Sequence, residues 1–315
     1  MTTQIEPAAG MPLADAKPFD IARDPIPSFG ALQQQRAQVW ADRRHLDSLR
    51  RQVESLEEDG ESGRRKGLGR WLVGDLYGAV ELLVRYTSDD VASFTCANAL
   101  LSLSRPSEAQ PIFERLSKSY PQEPRPRGGW LTAQLEADLA TGDADRARER
   151  LLAGLKAAPQ GFADTAEGHH LAARAAELAR DFETAIDEYM EAREADPTHR
   201  SNLFHLAYLA ERSGLDQLAL QVYQDLAELL PADRATLINL GVLLEDLGRD
   251  ADAAAVYDTV LLSFPTDLQT RLYLDDASAG MQMSRQTPNS AVSSRFTGLP
   301  GSLGITSTGK MTADL

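Results

Sequence analysis

The chain has 315 residues, 43% of them hydrophobic and only 6% aromatic, with a net charge of −15. That apolar share supports a folded core, the single cysteine (Cys96) excludes an internal disulfide, and no run approaches the ~18 apolar residues of a membrane span. The charge is uneven: Ala166 to Met283 holds 22 Asp and Glu against 8 Arg and no Lys, whereas Ser28 to Asp89 holds 10 of each sign. An acidic stretch of this kind either keeps a surface solvated or attracts a basic partner, and in both cases it repels a nucleic-acid backbone. Met1–Gly10 lacks the basic start and apolar run of a secretory signal, so with one cysteine the expected location is the cytoplasm.

Residues 1–27 carry Pro12, Pro18, Pro25 and Pro27 among small polar residues and are expected to be disordered. Asp24-Pro25-Ile26-Pro27 blocks any helix until Ser28, a good N-cap for a helix over 28–59. In that polar helix Leu32, Val39, Leu46 and Val53 stand seven apart and Leu49 and Leu56 join them, but Gln35 and Asp42 fill the earlier partner positions. Two good heptads are too few for an independent coiled coil, so the helix is expected to pack on the next domain or to dimerise. Asp59-Gly60-Glu61-Ser62-Gly63 reads as a break, and Arg64-Arg65-Lys66 as solvated linker.

Residues 67–283 are periodic. Leu203, Leu206, Ala207, Ala210, Gly214, Ala219, Tyr223, Leu226 and Pro231 recur 34 residues later as Leu237, Leu240, Gly241, Leu244, Gly248, Ala253, Tyr257, Val260 and Pro265. A large residue followed by a small one lets a second helix approach, glycine ends the first helix, alanine sits at the crossing and tyrosine fills the gap to the next pair. Looser copies end at Pro197 (with Ala185, Tyr189 and Ala192), Pro159 (Leu131, Leu135, Gly142, Ala147, Leu151) and Pro121 (Cys96, Ala97, Leu100, Ala109, Phe113, Leu116). Two of the spacings are 38, with Pro124-Arg125-Pro126-Arg127 and Gly161-Phe162-Ala163-Asp164 as the extra residues. Gly74, Ala79, Leu83 and Tyr86 look like half of a degenerate first copy, giving five to six copies. A last helix with Leu268, Leu272, Ala277 and Met281 suits the covering of the exposed end.

The pattern resembles the tetratricopeptide repeat. The resemblance implies an all-α fold: a right-handed solenoid of helical hairpins that binds other proteins, without catalysis, on the concave face lined by the first helix of each pair. At its fifth and ninth positions stand Phe94 and Asn98, Thr132 and Glu136, His170 and Arg174, Phe204 and Tyr208, and Ile238 and Val242. Family members that capture a terminal carboxylate use Lys and Asn there; only Asn98 matches. Phe204, Tyr208, Ile238 and Val242 instead form an apolar strip with Glu245 close by, suited to a basic or amphipathic partner segment if the rings are exposed; the alternative is that Phe204 and Tyr208 pack on the next helix.

From Ser284 to Leu315 the chain turns to Ser, Thr, Gly and Pro and is expected to be disordered. Within it Gly304-Ile305-Thr306-Ser307-Thr308-Gly309, reached from Leu299 and Leu303, is similar to part of the C-terminal domain of bacterial RNA polymerase alpha, which some bacterial tetratricopeptide proteins carry. Pro300-Gly301 and Lys310 depart from that pattern. The second functional expectation is therefore a transcription-associated adaptor.

No constellation for catalysis, a metal or a cofactor is found. His169 and His170 are adjacent and diverge on a helix, His199 sits at a junction, and His45 and His205 stand alone. No zinc-ligand spacing or phosphate-binding loop occurs. Cys96, on the large-residue position of its copy, is expected to be an inert buried thiol.

Overall fold

The computed structural model of the chain describes residues 19–277 except 42, 231–232, 264–265 and 276, and all regular structure in them is helical. Pro231, Pro265, Met281, the tail over 284–315 and the polymerase-like segment lie outside the described residues. The helices are α1 Phe29–Ala41, α2 Arg43–Ser55, α3 Gly60–Leu72, α4 Leu76–Leu83, α5 Asp90–Ser102, α6 Pro106–Ser119, α7 Pro124–Leu139 and α8 Ala144–Lys156. They continue with α9 Ala166–Leu178, α10 Phe182–Ala195, α11 Arg200–Arg212, α12 Asp216–Leu229, α13 Arg234–Asp246 and α14 Asp250–Ser263, followed by helical residues 268–275.

From α3 onward the helices pair as hairpins, α3/α4 through α13/α14, and each packs on the next. Local chemistry starts them. Asp75, Asp89, Asp143, Asp181 and Asp233 each accept a hydrogen bond from the backbone N–H three residues on, and Thr165 does the same through its hydroxyl. Each such cap contributes about 1 kcal/mol. The turn inside every hairpin holds one left-handed residue: Gly74, Ser104, Gly142, Arg180, Gly214 and Gly248. Ser104 and Arg180 occupy this conformation without glycine, which no glycine-based reading of the sequence detects.

Packing repeats with the sequence. Ala79, Ala109, Ala147, Ala185, Ala219 and Ala253, one per hairpin, are fully buried where the two helices cross. Four residues further along each second helix stand Leu83, Phe113, Leu151, Tyr189, Tyr223 and Tyr257, all buried. Gly241 shows how tight this fit is, because a Cβ there would lie 2.3 Å from the Tyr257 ring.

Several expectations change. The single helix over Phe29–Glu58 is two helices, and its heptad stripe, Leu32, Val39, Leu46, Leu49 and Val53, is buried within the chain. The supposed break at Asp59–Gly63 is the start of α3. Its glycines hid the helix: Gly69 leaves room for Val53, and Gly67 for Leu83. Arg64-Arg65-Lys66 is not a solvated linker. Arg64 pairs with Glu61 and Asp89, Arg65 donates to the carbonyls of Ile21 and Asp24 (2.8 Å each), and Lys66, buried, meets Glu58 at 3.1 Å. Pro124-Arg125-Pro126-Arg127 is no insertion loop but the first turn of α7, where proline is tolerated; the other insertion forms a 3-10 turn at Phe162–Asp164 with Phe162 buried.

The terminal helix also differs. Leu268 and Leu272 are 72% and 55% exposed, while Tyr273, stacked on Tyr257 at 5.6 Å, and Ala277 cover the end. Leu272 holds the place of Phe204 and Ile238, which are buried in hairpins. Arg271 and Asp275 replace Leu237 and Gly241, so residues 268–275 carry a polar face where another second helix would pack.

The turn residues give a paired test. Gly214→Ala is expected to lose about 1 kcal/mol of stability, since a Cβ is disfavoured at positive φ. Arg180→Gly is expected to gain up to about 1 kcal/mol, less the larger backbone entropy of glycine in the unfolded chain. Urea unfolding of both variants checks the opposite signs.

Candidate interaction surface

The fifth-position residues of the first helices do not form an exposed strip. Phe94, Phe204, Ile238 and the nearby Val242 are 5%, 4%, 0% and 6% exposed. Their neighbour is the large residue of their own hairpin's second helix. Phe94 meets Phe113 edge-on at 5.6 Å, Phe204 meets Tyr223 at 6.4 Å, and His170 lies 5.6 Å from Tyr189. These three pairs share one separation in sequence, so the fifth position belongs to the hairpin core.

The ninth position is more open in four hairpins, although Val242, which holds it in α13, is buried. Asn98, Glu136, Arg174 and Tyr208 are all half-buried. The Asn98 amide donates to the Phe94 carbonyl (2.9 Å), Arg174 reaches back to Glu136 (3.2 Å), and the Tyr208 hydroxyl accepts from Arg212 (3.1 Å). Of these contacts only Arg174–Glu136 joins two successive hairpins; the other two stay within one helix and leave edges to solvent.

Behind it runs a row that the sequence reading missed. Glu177, Glu211 and Glu245 recur every 34 residues beside the phenols of their own hairpins: Tyr189 donates to Glu177, Tyr223 to Glu211 at 3.4 Å, and the charge of Glu245, after burial, holds the Tyr257 phenol above its usual range. A buried phenol requires an acceptor, so the 34-residue spacing of glutamates beside the tyrosines was the available signal. Glu245, expected near a partner, is thus half-buried and tied to the core.

The array also draws together histidines that look unrelated in sequence. The ring centroids of His170 lie 5.0 Å from His199 and 5.7 Å from His205, and Tyr189 stacks on His205 at 5.9 Å. Arg174, Glu136, Glu177 and Asn202 surround them, with Arg174 2.9 Å from His205 Nε2. Burial, the two other histidines and Arg174 push His170 well below the usual histidine range; burial, Arg174 and His199 do the same to His205. Glu177 lies 3.6 Å from His205 and favours its charged form, but it already serves Arg174 and Tyr189, and burial prevails. Burial also opposes the charge on Arg174, yet Tyr189, Glu136 and Glu177 outweigh it and raise its pKa. Among the described residues no group of three or more His, Cys, Asp and Glu is placed to hold a metal ion. Burial lifts the Cys96 thiol to about 11, so it is unreactive at neutral pH.

The largest departure from the sequence reading concerns α1. It touches α3 and α5 near one end of the array and α12 near the other. Stacked helices lie about 8–10 Å apart, and a helix of α1's length spans about 20 Å. A helix that short reaches both α5 and α12 only from inside a curve, so the array is bent and α1 lies in its hollow. Leu32 and Val39 are buried, the Arg36 guanidinium stands 4.8 Å from the Trp71 ring, and Trp40 Nε1 donates to the Leu72 carbonyl (2.6 Å). At the far side Arg36 feels Arg200 and Asp233; burial first, then Arg200, lower its pKa to about 10 against the pull of Asp233.

The histidine cluster predicts acid sensitivity. His170 and His205 stay neutral when folded but protonate below about pH 6.5 once unfolded, so the unfolded chain binds more protons and stability falls as pH drops. Each contributes up to roughly 1.4 kcal/mol of loss per pH unit below that point until its folded pKa is reached. Thermal unfolding between pH 7.5 and 5.5 is expected to show a falling Tm, with a smaller fall in His205→Gln.

No model of a known protein family matches the sequence, and no curated protein matches it. Solved structures do. A chain in the crystal structure of the APC/C hetero-tetramer Cut9-Hcn1 aligns with TM-score 0.50 at 12% identity, covering 79% of this chain and 49% of that one, so this chain spans about half its length. TTC0263, a thermophilic tetratricopeptide protein of Thermus thermophilus, aligns with TM-score 0.44 at 20% identity over 61% of this chain and 100% of its own. YrrB, a tetratricopeptide protein with an unusual peptide-binding site, aligns with TM-score 0.38 at 14% identity over 63% and 100%. The tyrosine, alanine and glycine positions repeat in space as they do in sequence, and the chain has the fold of a tetratricopeptide-repeat solenoid.

Proposed function

We propose that this protein is a non-enzymatic scaffold that holds a segment of another protein against the first helices of its array. One observation carries the reading: the row Asn98, Glu136, Arg174 and Tyr208 crosses four consecutive hairpins, with Asn98, Glu136 and Tyr208 half-buried and leaving polar edges around a largely buried Arg174. The surplus of Asp and Glu over Ala166–Met283 favours a basic or amphipathic segment by raising encounter rates. The ionisable groups of the array are occupied with one another, as Arg174, Glu136, Glu177 and Tyr189 are, which suits a binding surface more than an acid–base site.

Tyr208 and Asn98 are the residues to alter, since Phe204 and Ile238 are core. Affinity purification of the full chain from its native cell is expected to recover a partner that an Asn98→Ala/Tyr208→Ala variant binds at least about 10-fold more weakly, with helicity and Tm unchanged. Full retention of every partner by the folded variant would falsify the surface. Recovery is also expected to decline with added salt.

A further inference from the structure

We infer that the start of α11 is a proton-operated joint: His199 caps that helix only while its ring is neutral, so acid frees the first turn. This goes beyond the scaffold reading and does not depend on it. The Asn202 backbone N–H donates to His199 Nδ1 at 3.1 Å. An amide N–H can only donate, so Nδ1 carries its lone pair and the ring proton sits on Nε2. A second proton has to enter at Nδ1, and it leaves two N–H groups facing each other where a hydrogen bond stood. The other helices with a side-chain cap start on Asp75, Asp89, Asp143, Asp181, Asp233 or Thr165. Carboxylates and hydroxyls still accept in mild acid, whereas imidazole changes charge between about pH 5 and 8. Among the described helices, α11 is the one that starts on an imidazole.

The surroundings oppose the added charge. His199 stands at the positive end of α11, next to Arg200. The His170 ring of α9 lies 5.0 Å away, and Arg174, on the same helix, faces His205. Of the carboxylates nearby, Glu136 and Glu177 serve Arg174, and Glu188 of α10 serves His169. Asp196, in the turn before the cap, accepts from Thr198. Asp233 holds Arg200, beside which Arg36 of α1 brings another cation. His170 is buried, whereas His199 is half-buried and takes protons from solvent.

The first turn of α11 is also where successive hairpins are tied. Asn202 is fully buried, and its side-chain amide donates to the Tyr189 carbonyl of α10 at 2.8 Å. Arg200 reaches the other way, to Asp233, the cap of α13. Loosening this turn therefore slackens the joint between α10 and α11, which separates Arg174 from Tyr208 along the ninth-position row.

Hydrogen–deuterium exchange of the full chain over residues 200–206, corrected for the intrinsic pH dependence of amide exchange, tests this. Protection there is expected to fall at least about fivefold between pH 7.5 and 5.5, the scale of a lost cap, while the start of α5, capped by Asp89, holds. His199→Asp keeps a cap at both pH values and is expected to abolish the step. His199→Asn, also a good cap, serves in its place if the aspartate variant does not fold. His205→Gln leaves the cap intact and is expected to retain the step. Unchanged protection in the wild-type chain overturns the inference, as does a full step in the folded His199→Asp or His199→Asn variant. Loss of the step in His205→Gln overturns it too, because the proton then acts through His205.

Discussion

The structure depends on a large side chain of each second helix pressed against small residues of its own hairpin or the next. Tyr257 fits because residue 241 is glycine and residue 253 alanine; Phe113, Leu151, Tyr189 and Tyr223 occupy the same place in their hairpins, each four residues after a fully buried alanine. The contact fixes how closely the two helices of a pair approach. It also decides which first-helix residues are core, because the fifth position rests on that same side chain. A hairpin closed in this way still has apolar sides that only the next hairpin can bury, and the core accordingly runs along the chain from Ile21 to Ala277.

Tyrosine in that role imposes a second condition. Its phenol is taken deep into the array, where an unpaired hydroxyl is costly, and a glutamate twelve residues earlier supplies the acceptor for Tyr189 and Tyr223, with Glu245 at the same spacing before Tyr257. Part of the acidity of the second half of the chain therefore lies inside it. In the hairpin of α9 and α10 the arrangement extends to Arg174 and the histidines. That region concentrates buried polar groups whose protonation is coupled to folding.

Curvature is the third level. The main contacts along the array are local, yet α1 meets α3 and α5 near its start and α12 toward its other end. The bend of the whole stack, not any one hairpin, creates the hollow and determines that Arg36 lies near Arg200 and Asp233, far away in sequence.

Much of this was legible in the residues alone. The 34-residue recurrence of Ala219, Tyr223 and their counterparts reflects contacts within one hairpin and with its neighbour, so each copy reports its own structure without knowledge of the rest. That determined the helical class, the hairpin boundaries around Gly214 and Gly248, and the burial of Cys96. Tertiary structure decided what depends on direction and distance. The direction a fifth-position side chain points follows from helix packing, so Phe204 and Ile238 proved to be core. The break at Asp59–Gly63 proved to be the start of a helix, because neighbours such as Val53 and Leu83 take the space its glycines leave. The meeting of His170, His199 and His205, and the placement of α1 in the hollow, arise from the stacking of successive hairpins and the angle between them, a quantity no single position in the chain encodes.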